Sequence, residues 1–231
     1  MELHFKKAFD TLGPSLWGGI GIVLYITLVG FVSALIVALL VAIGRVSKNK
    51  ILSRTLGIII ELVRGTPLLV QFFYIYYVVP TLLNGLFSMF GQDTNIQLEA
   101  ATCGIVGFAI NYGCYMSEVI RSSMLSIDSG QREAGLALGF SERQVLFHFI
   151  IPPALRNSVP VFGNYLVMLI KDTSLLAMIS VQELLLRTKT YASQTFLTVE
   201  AYTLLALVYL VLSIPLSQLS KVVERRLKGV R

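Results

Sequence analysis

Long apolar stretches alternate with short polar segments along most of this chain. A helix needs about twenty mostly apolar residues to cross a hydrocarbon layer about 30 Å thick. Five stretches reach that length, at residues 16–43, 55–79, 97–117, 158–181 and 200–220. The pattern therefore predicts an all-α integral membrane protein with five transmembrane helices. Residues 1–231 are expected to form a single transmembrane domain.

Composition supports this prediction. The chain is 55% hydrophobic and 14% charged, with a mean hydropathy of +0.74, whereas an ordinary soluble domain carries about a quarter charged residues. The first fifteen residues include acids as well as lysines, and the apolar run that follows is too long for a signal peptide. We therefore expect the first span to remain in the mature protein. The two cysteines, Cys103 and Cys114, share one apolar segment and are expected to be free thiols, with no metal or redox site.

The distribution of basic residues predicts the orientation in the membrane. Thirteen lysines and arginines lie in segments 44–54, 118–157 and 221–231, against four in the segments on the opposite side. Because basic loops favour the cytoplasm, the N-terminus is expected outside and the C-terminus in the cytoplasm. The net charge of +6 thus belongs to loop ends and gives no indication of nucleic-acid binding.

Segment 118–157 contains the signals of two short helices. Asp128, with Gln131 three residues on, is suited to cap the first, and Gly139 is suited to the left-handed conformation after its end. An apolar stripe at i, i+3 and i+4 spacing is expected to be covered either by the chain itself or by a partner protein. The stripe consists of Ala134, Ala137 and Leu138.

The second short helix is predicted from a capping box. Ser141 and Gln144 have the required spacing, and Phe140 and Val145 occupy the hydrophobic-staple positions. Two consecutive prolines, beginning at Pro152, are expected to stop this helix.

These residues resemble the cytoplasmic EAA signature of the membrane permeases of ATP-binding-cassette importers. That signature runs EAA, three residues, G, nine residues, I, any residue, L, P, and the spacing here is complete. The matching positions are Glu133, Ala134, Gly135, Gly139, Phe149, Ile151 and Pro152. Gly135, Phe149 and Ile151 depart from the pattern by conservative exchanges.

Nearly the whole chain is similar to the polar amino acid uptake branch of these importers. Three further segments carry the similarity: ELVRGTPLLVQ at 61–71, YMSEVIRSSMLSI at 115–127 and LIKDTSLLAMIS at 169–180. The resemblance implies the transmembrane domain of a type I importer in the bacterial plasma membrane, with no enzymatic activity of its own. It also implies a second permease copy or paralogue and an external solute-binding protein.

The resemblance further implies that the short helices form a coupling helix, which docks on a cytoplasmic ATPase. The chain has no GxxxxGK[ST] segment, so ATP and Mg²⁺ are expected on that partner and no cofactor on this chain. The residues expected to contact the ATPase are Glu133, Ala134, Gly135, Leu138, Gly139 and Phe140.

Two adjacent charges, Lys171 and Asp172, lie inside the fourth predicted span. A charge at that depth costs about 2.5–3.5 kcal/mol and so indicates a functional site, although an ion pair with a neighbouring span would also account for it. If an amino acid passes here, Lys171 would face its carboxylate. The full set of candidate substrate-binding residues is Lys171, Asp172, Thr173, Ser174, Asn111, Tyr115 and Gln71.

A gate or hinge is predicted in the second span, at Arg64, Gly65, Thr66 and Pro67. Pro67 disfavours helix at the preceding residue and removes a backbone donor. Glu61 lies three residues before Arg64 and can pair with it on one helical face. Glu118 and Arg121 repeat this spacing, where a solvated interfacial pair is expected.

Three alternatives remain open at this stage: an importer for another solute, a secondary transporter or channel that works without an ATPase, and a membrane-embedded enzyme. The third lacks a cluster of catalytic groups in the sequence. Neither the amino acid carried nor the identity of the second permease is determined by the chain.

Overall fold

The computed structural model describes residues 3–228, and in this range the chain is helical almost throughout. Ten α-helices alternate with two π-helical turns and one 3-10 helix within these residues. The α-helices are α1 Phe5–Val46, α2 Lys50–Arg64, α3 Leu68–Phe73, α4 Val79–Met89, α5 Ala100–Leu125, α6 Ser129–Ala137, α7 Glu142–Val145, α8 Ile151–Asp172, α9 Leu184–Thr195 and α10 Thr198–Lys228. The π turns are Tyr74–Val78 and Leu146–Ile150, and the 3-10 helix is Thr173–Ile179.

Five helical stretches are long and apolar enough to cross a membrane within the described range, which confirms the predicted all-α class. They are Phe5–Val46, Leu68–Met89, Ala100–Leu125, Glu142–Ile179 and Thr198–Arg226. The predicted orientation of the termini stays a prediction. Residues 1–2 and 229–231, at the two ends of the predicted domain, lie outside the described residues.

The second stretch differs in position from the predicted span 55–79. It starts at Leu68, because the chain breaks at residues 65–67, and it continues to Met89. Before the break, α2 is a separate helix with apolar and polar faces. A hydropathy window averages across such a break, so the prediction joined the end of α2 to α3.

The break has the local causes expected from the sequence. Gly65 caps the end of α2, and Pro67, in an extended conformation, precedes the first residue of α3. The side-chain amide of Gln71 donates to the carbonyl oxygen and the hydroxyl of Thr66, at 3.1 and 2.9 Å. The carbonyl of Thr66, which lies between the two helices, therefore accepts a hydrogen bond from a side chain.

The expectation that prolines stop the second short helix is wrong. The helix beginning at Glu142 passes through the π turn Leu146–Ile150 and continues as α8, which has Pro152 near its start. The N–H of Ile151 donates to the carbonyl of Leu146, five residues back. A proline has no N–H for the carbonyl four residues before it, and a local π turn rearranges those bonds without ending the helix.

The chain divides into two compact units. The first comprises residues 1–33, 66–109 and 166–216. Its apolar core packs the first half of α1 with residues of α8, α9 and α10, among them Leu12, Val23, Ile170, Leu184 and Leu205.

The first unit also contains close packing at small residues. Phe72 of α3 meets Phe108 of α5 edge to face, with ring centroids 5.1 Å apart. A Cβ at Gly107 would lie 2.5 Å from the Phe72 ring, so this glycine gives the ring its space.

The second unit comprises residues 34–65, 110–165 and 217–231. Here α5 approaches the second half of α1, since a Cβ at Gly113 would come within 2.7 Å of Val37. α8 and α10 are similarly close, with the Ser220 hydroxyl donating to the Gly163 carbonyl at 3.3 Å. Small residues thus bring helix backbones together, as is common between membrane helices. Cys103 and Cys114 are buried free thiols, as expected.

Candidate functional site

The predicted substrate segment 171–174 lies where the helix changes type. α8 ends at Asp172, and the tighter 3-10 helix begins at Thr173. The Thr173 hydroxyl donates to the carbonyl of Ile170 at 2.7 Å, and the Ser174 hydroxyl donates to that of Lys171 at 2.9 Å. Both hydroxyl protons are thus engaged by the backbone. Thr173 is fully buried, so of the two side chains only the partly exposed Ser174 can offer acceptor lone pairs to a ligand, and it has no spare donor.

Lys171 is exposed at this change of helix type. Within residues 3–228 its ammonium makes no ion pair and no side-chain hydrogen bond. The alternative account of Lys171, an ion pair that only fixes packing, therefore has no partner within the described part of this chain. An ammonium facing lipid at this depth is costly, so it is expected to face water, a ligand or another subunit.

Gln71 belongs to the same unit as this segment, because α3 packs against the 3-10 helix. Its amide nitrogen is committed to Thr66, as described above. The structure therefore joins a predicted substrate residue to a predicted hinge residue.

The second unit holds the other two predicted substrate residues, Asn111 and Tyr115, on α5. Asn111 is buried. The Tyr115 hydroxyl donates to the carbonyl of Arg64 at 3.3 Å, and the Arg64 guanidinium lies 4.9 Å above the centre of the Tyr115 ring. This cation–π contact and hydrogen bond hold the last residue of α2 against α5.

The anticipated Glu61–Arg64 pair is absent among the ion pairs of the described residues, since Arg64 stacks on Tyr115 instead. The Glu118–Arg121 pair is present at 2.9 Å, and Arg45 extends it at 3.5 Å from Glu118. Because these side chains are partly buried, Glu118 joins the last turn of α1 to α5 rather than forming the expected solvated pair.

The two predicted short helices are present with the predicted caps. The Asp128 carboxylate accepts from the N–H of Gly130 at 2.6 Å. α6 ends in a Schellman motif, in which Gly139 has φ +85° and the N–H groups of Gly139 and Phe140 donate to Leu136 and Gly135. At the next helix, the Ser141–Gln144 capping box is formed in both directions.

Side-chain contacts fix α6 against the start of the next helix. Gly135 is buried, and a Cβ there would lie 2.9 Å from a methyl group of Val145. The rings of Phe140 and Phe149 meet with centroids 5.2 Å apart. Close approach at Gly135 is therefore an internal contact of this element, whereas the sequence suggested that it served a partner.

An ion-pair network closes the same element. Both oxygens of Glu142 accept from the Arg132 guanidinium, at 2.6 and 2.8 Å, and the Lys48 ammonium lies 3.3 Å from Glu142. The pairs are solvent-exposed, so they orient the helices more than they stabilise the fold.

The apolar stripe on α6 remains uncovered in this chain. Leu138 is 75% exposed, and Glu133, Ala134, Ala137 and Gly139 are exposed around it. Phe140, at 38%, contributes its outer edge. Of the six residues expected to contact an ATPase, Gly135 is buried within the chain and Phe140 packs partly on Phe149, whereas the other four are exposed.

Residues 30–229 match the family model described as "Binding-protein-dependent transport system inner membrane component". The chain belongs to this family of importer permeases. The permease is 35% identical to the L-cystine transport system permease protein of Bacillus subtilis over 93% of its own length and 87% of that protein. It is 34% identical to the glutamine transport system permease protein of Escherichia coli, over 93% and 94% respectively.

A solved structure, described as the crystal structure of an amino acid ABC transporter with histidines, superimposes on the permease with a TM-score of 0.82. It is 30% identical and covers 98% of this chain and 100% of its own. These similarities identify the permease as a multi-pass inner-membrane subunit of amino acid transport and confirm the resemblance to ATP-binding-cassette importer permeases.

Sequence reasoning missed one buried polar cluster of the permease. Glu183 is fully buried, caps α9 by accepting from the N–H groups of Leu185 and Leu186, and accepts from the Tyr209 hydroxyl at 3.1 Å. Burial raises the pKa of the Glu183 carboxyl. An acidic residue directly before the apolar run 184–186 is a helix-start signal, although the predicted spans leave segment 182–199 as a connection between them.

Proposed function

We propose that this permease forms, with a second permease subunit, the pathway for a polar amino acid, and that a separate ATPase docks on α6 to drive it. An external solute-binding protein would deliver the amino acid, and ATP and Mg²⁺ would bind to the ATPase. The bacterial plasma membrane is the proposed location, with α6 on the cytoplasmic side.

The exposed apolar stripe on α6 is the observation that carries this proposal. A soluble surface helix ordinarily buries such a stripe against its own domain. Here Leu138 is 75% exposed and lies on an element that is fixed at both ends by caps. An exposed apolar residue on a stiff support suits docking into a groove of a partner.

Rigidity of this element supports the proposed mechanism. The π turn continues α7 directly into α8, so the chain stays helical without interruption from Glu142 to the 3-10 helix that begins at Thr173. A displacement of the α6–α7 element by the ATPase would therefore act on a helix that reaches the proposed substrate segment. A flexible loop at the same place would absorb the movement.

For the amino acid, we propose Lys171 as the ligand of the carboxylate, as predicted from the sequence. Its exposed ammonium, without an ion-pair partner in the described residues, supports this role. The change from α-helix to 3-10 helix at Asp172 turns successive side chains differently from a regular helix. Asp172 and Ser174 would supply acceptors for the ammonium group, and Gln71, which belongs to the same unit, would extend this lining. Thr173 is fully buried and is not proposed as a contact. Asn111 and Tyr115, on α5 in the second unit, stay predictions from the sequence.

The test of the docking role is reconstitution of the permease with its ATPase and binding protein in liposomes. Leu138→Asn should lower uptake and substrate-stimulated ATP hydrolysis together, because it places an amide in the apolar contact. Glu133→Gln should do the same if its charge orients the docked helix. Asp93→Asn, an equal loss of charge on an exposed residue far along the chain, serves as the control.

Membrane insertion and thermal unfolding of all three variants should match the parent protein. Uptake that survives removal of the ATPase altogether would contradict the proposal and favour a secondary transporter. Normal coupling in the Leu138→Asn variant would remove α6 as the docking element.

A further inference from the structure

A groove lies between the last turn of α1 and the first three turns of α2. Its volume is about 690 Å³, and all of its lining residues belong to the second unit. Three cations, Arg45, Lys50 and Arg54, line it together with one carboxylate, Glu61. The groove is therefore predominantly positive.

One of these cations is held in place by the protein. The Arg45 guanidinium donates to the carbonyl of Ser53 at 2.8 Å and lies 3.5 Å from Glu118. A Cβ at Gly57 would come within 2.7 Å of the same guanidinium. The side chain is thus anchored between the two helices, and the absence of a side chain at residue 57 gives it room.

The other two cations have no protein partner within residues 3–228. Lys50 and Arg54 are exposed, one turn apart on α2, and neither forms a hydrogen bond or an ion pair there through its side chain. Glu61, about two turns beyond Arg54 on α2, also lines the groove. Two unpaired cations next to an anchored third suit a ligand with a phosphate group.

The same groove has an apolar side. Ile51 and Ile58 line it and are 81% and 53% exposed. The 15-residue helix α2 separates these apolar side chains from its charged ones. A ligand that fills the groove should therefore carry both an anionic head and a hydrocarbon chain, which inorganic phosphate does not.

Position along the chain agrees with such a ligand. The groove adjoins the end of the long apolar helix α1 and the polar turn 47–49, where a transmembrane helix meets the headgroup layer. The Asn49 side chain already accepts from the N–H groups of Ile51 and Leu52 at the start of α2. The phosphate would therefore be held by the basic side chains and not by these N–H groups. Basic pockets between membrane helices are known to bind anionic headgroups.

We propose that the groove between α1 and α2 binds an anionic phospholipid, with the phosphate on Lys50, Arg54 and Arg45 and an acyl chain along Ile51 and Ile58. This site is separate from the proposed amino acid site and from the docking surface on α6. It would fix the relative position of two helices that precede the break at residues 65–67.

The experiment titrates the purified full-length chain in neutral detergent and follows thermal unfolding. The added probes are phosphatidylglycerol, phosphatidylcholine of the same chain length, and inorganic phosphate. We expect phosphatidylglycerol to raise the unfolding temperature, and phosphatidylcholine and inorganic phosphate to leave it unchanged. Equal stabilisation by phosphatidylcholine would show that the headgroup needs no net negative charge. Stabilisation by inorganic phosphate, without any effect of phosphatidylglycerol, would show that the ligand is not a lipid.

Variants locate the site. Lys50→Gln with Arg54→Gln should raise the half-saturating phosphatidylglycerol concentration about thirtyfold, from roughly fivefold for each cation near an anionic headgroup. Arg225→Gln with Arg226→Gln removes the same charge from exposed positions on α10 and should leave the titration unchanged.

The charge-preserving double variant Lys50→Arg with Arg54→Lys should keep most of the affinity for phosphatidylglycerol. Such a result would show that the loss in the glutamine variant comes from the missing charges and not from misfolding. An equal loss in the α10 control would mean that the lipid responds only to overall charge, and would refute the groove.

Discussion

The guanidinium of Arg132 holds both carboxylate oxygens of Glu142, at 2.6 and 2.8 Å. These residues are ten positions apart and lie on different helices, α6 and α7. Glu142 also receives Lys48 from the turn before α2. One carboxylate therefore connects the proposed docking helix to both the following helix and the α1–α2 turn.

Glu142→Gln should weaken this connection with little effect on folding. Exposed ion pairs contribute little to stability, so thermal unfolding should be unchanged, while uptake per ATP hydrolysed falls several-fold because α6 is no longer oriented. Arg132→Glu combined with Glu142→Arg should recover part of the coupling, and Arg143→Gln, which neutralises the adjacent cation, should not reduce it. Unchanged coupling in Glu142→Gln would show that the caps alone orient α6.

Gly135→Ala should destabilise the protein. The added Cβ would lie 2.9 Å from Val145, and such overpacking costs about 1–3 kcal/mol. Combining it with Val145→Ala should recover part of the loss. Gly21→Ala in α1 is the control, because a Cβ there has no atom within 4 Å beyond its chain neighbours and its own helix backbone, and alanine favours a helix interior by about 1 kcal/mol. Thermal unfolding in detergent measures all three, and equal effects at both glycines would contradict the packing at Gly135.

Glu183→Gln should change how stability depends on pH. Burial raises the pKa of Glu183 above its ordinary value of 4.5, so the folded state binds the proton more tightly than the unfolded state. That contribution is complete below the ordinary pKa and is lost as the pH rises through the raised one. Unfolding temperatures from about pH 4 to about pH 8 should therefore fall more steeply in the parent than in the variant. Parallel curves of unfolding temperature against pH for the two proteins would mean that folding does not raise the pKa of Glu183.

Lys171→Met should reduce amino acid uptake about ten- to a hundredfold, the value of one hydrogen bond to a charged group. Lys171→Arg should retain more uptake than the methionine variant, since it keeps a cation. Lys189→Met removes an exposed lysine outside the five apolar stretches and should transport normally. Uptake in liposomes is the measurement, and full transport by Lys171→Met would exclude the residue from the substrate site.

Local signals in the sequence were sufficient where cause and effect lie within one helical turn. The Ser141–Gln144 capping box, the left-handed Gly139 and the break beside Pro67 each depend on neighbouring residues, and all three are present. The five apolar stretches were found for the same reason, because the hydrophobicity of a segment is a property of its own residues.

Other predictions were wrong or incomplete for two reasons: a local exception to a rule, and contacts with residues that are distant in sequence. The rule that prolines stop a helix was applied at Pro152 without the π turn that accommodates it. Arg64 was paired with Glu61, three positions away, but it stacks on Tyr115, 51 positions away. Glu183 was read as part of a connection, because its partner Tyr209 lies on another helix.

The sequence by itself determined that this chain is helical, that it has five stretches able to cross a membrane, and that a stiff capped element lies between two of them. Apolar length, caps and prolines act over a few residues, so they can be read directly. The tertiary structure decided which face of α6 stays open, that Gly135 packs internally against Val145, and that Arg45, Lys50 and Arg54 share one groove. These three features depend on how the helices pack against one another. Packing brings side chains of different helices together, and no pattern within one helix predicts such contacts.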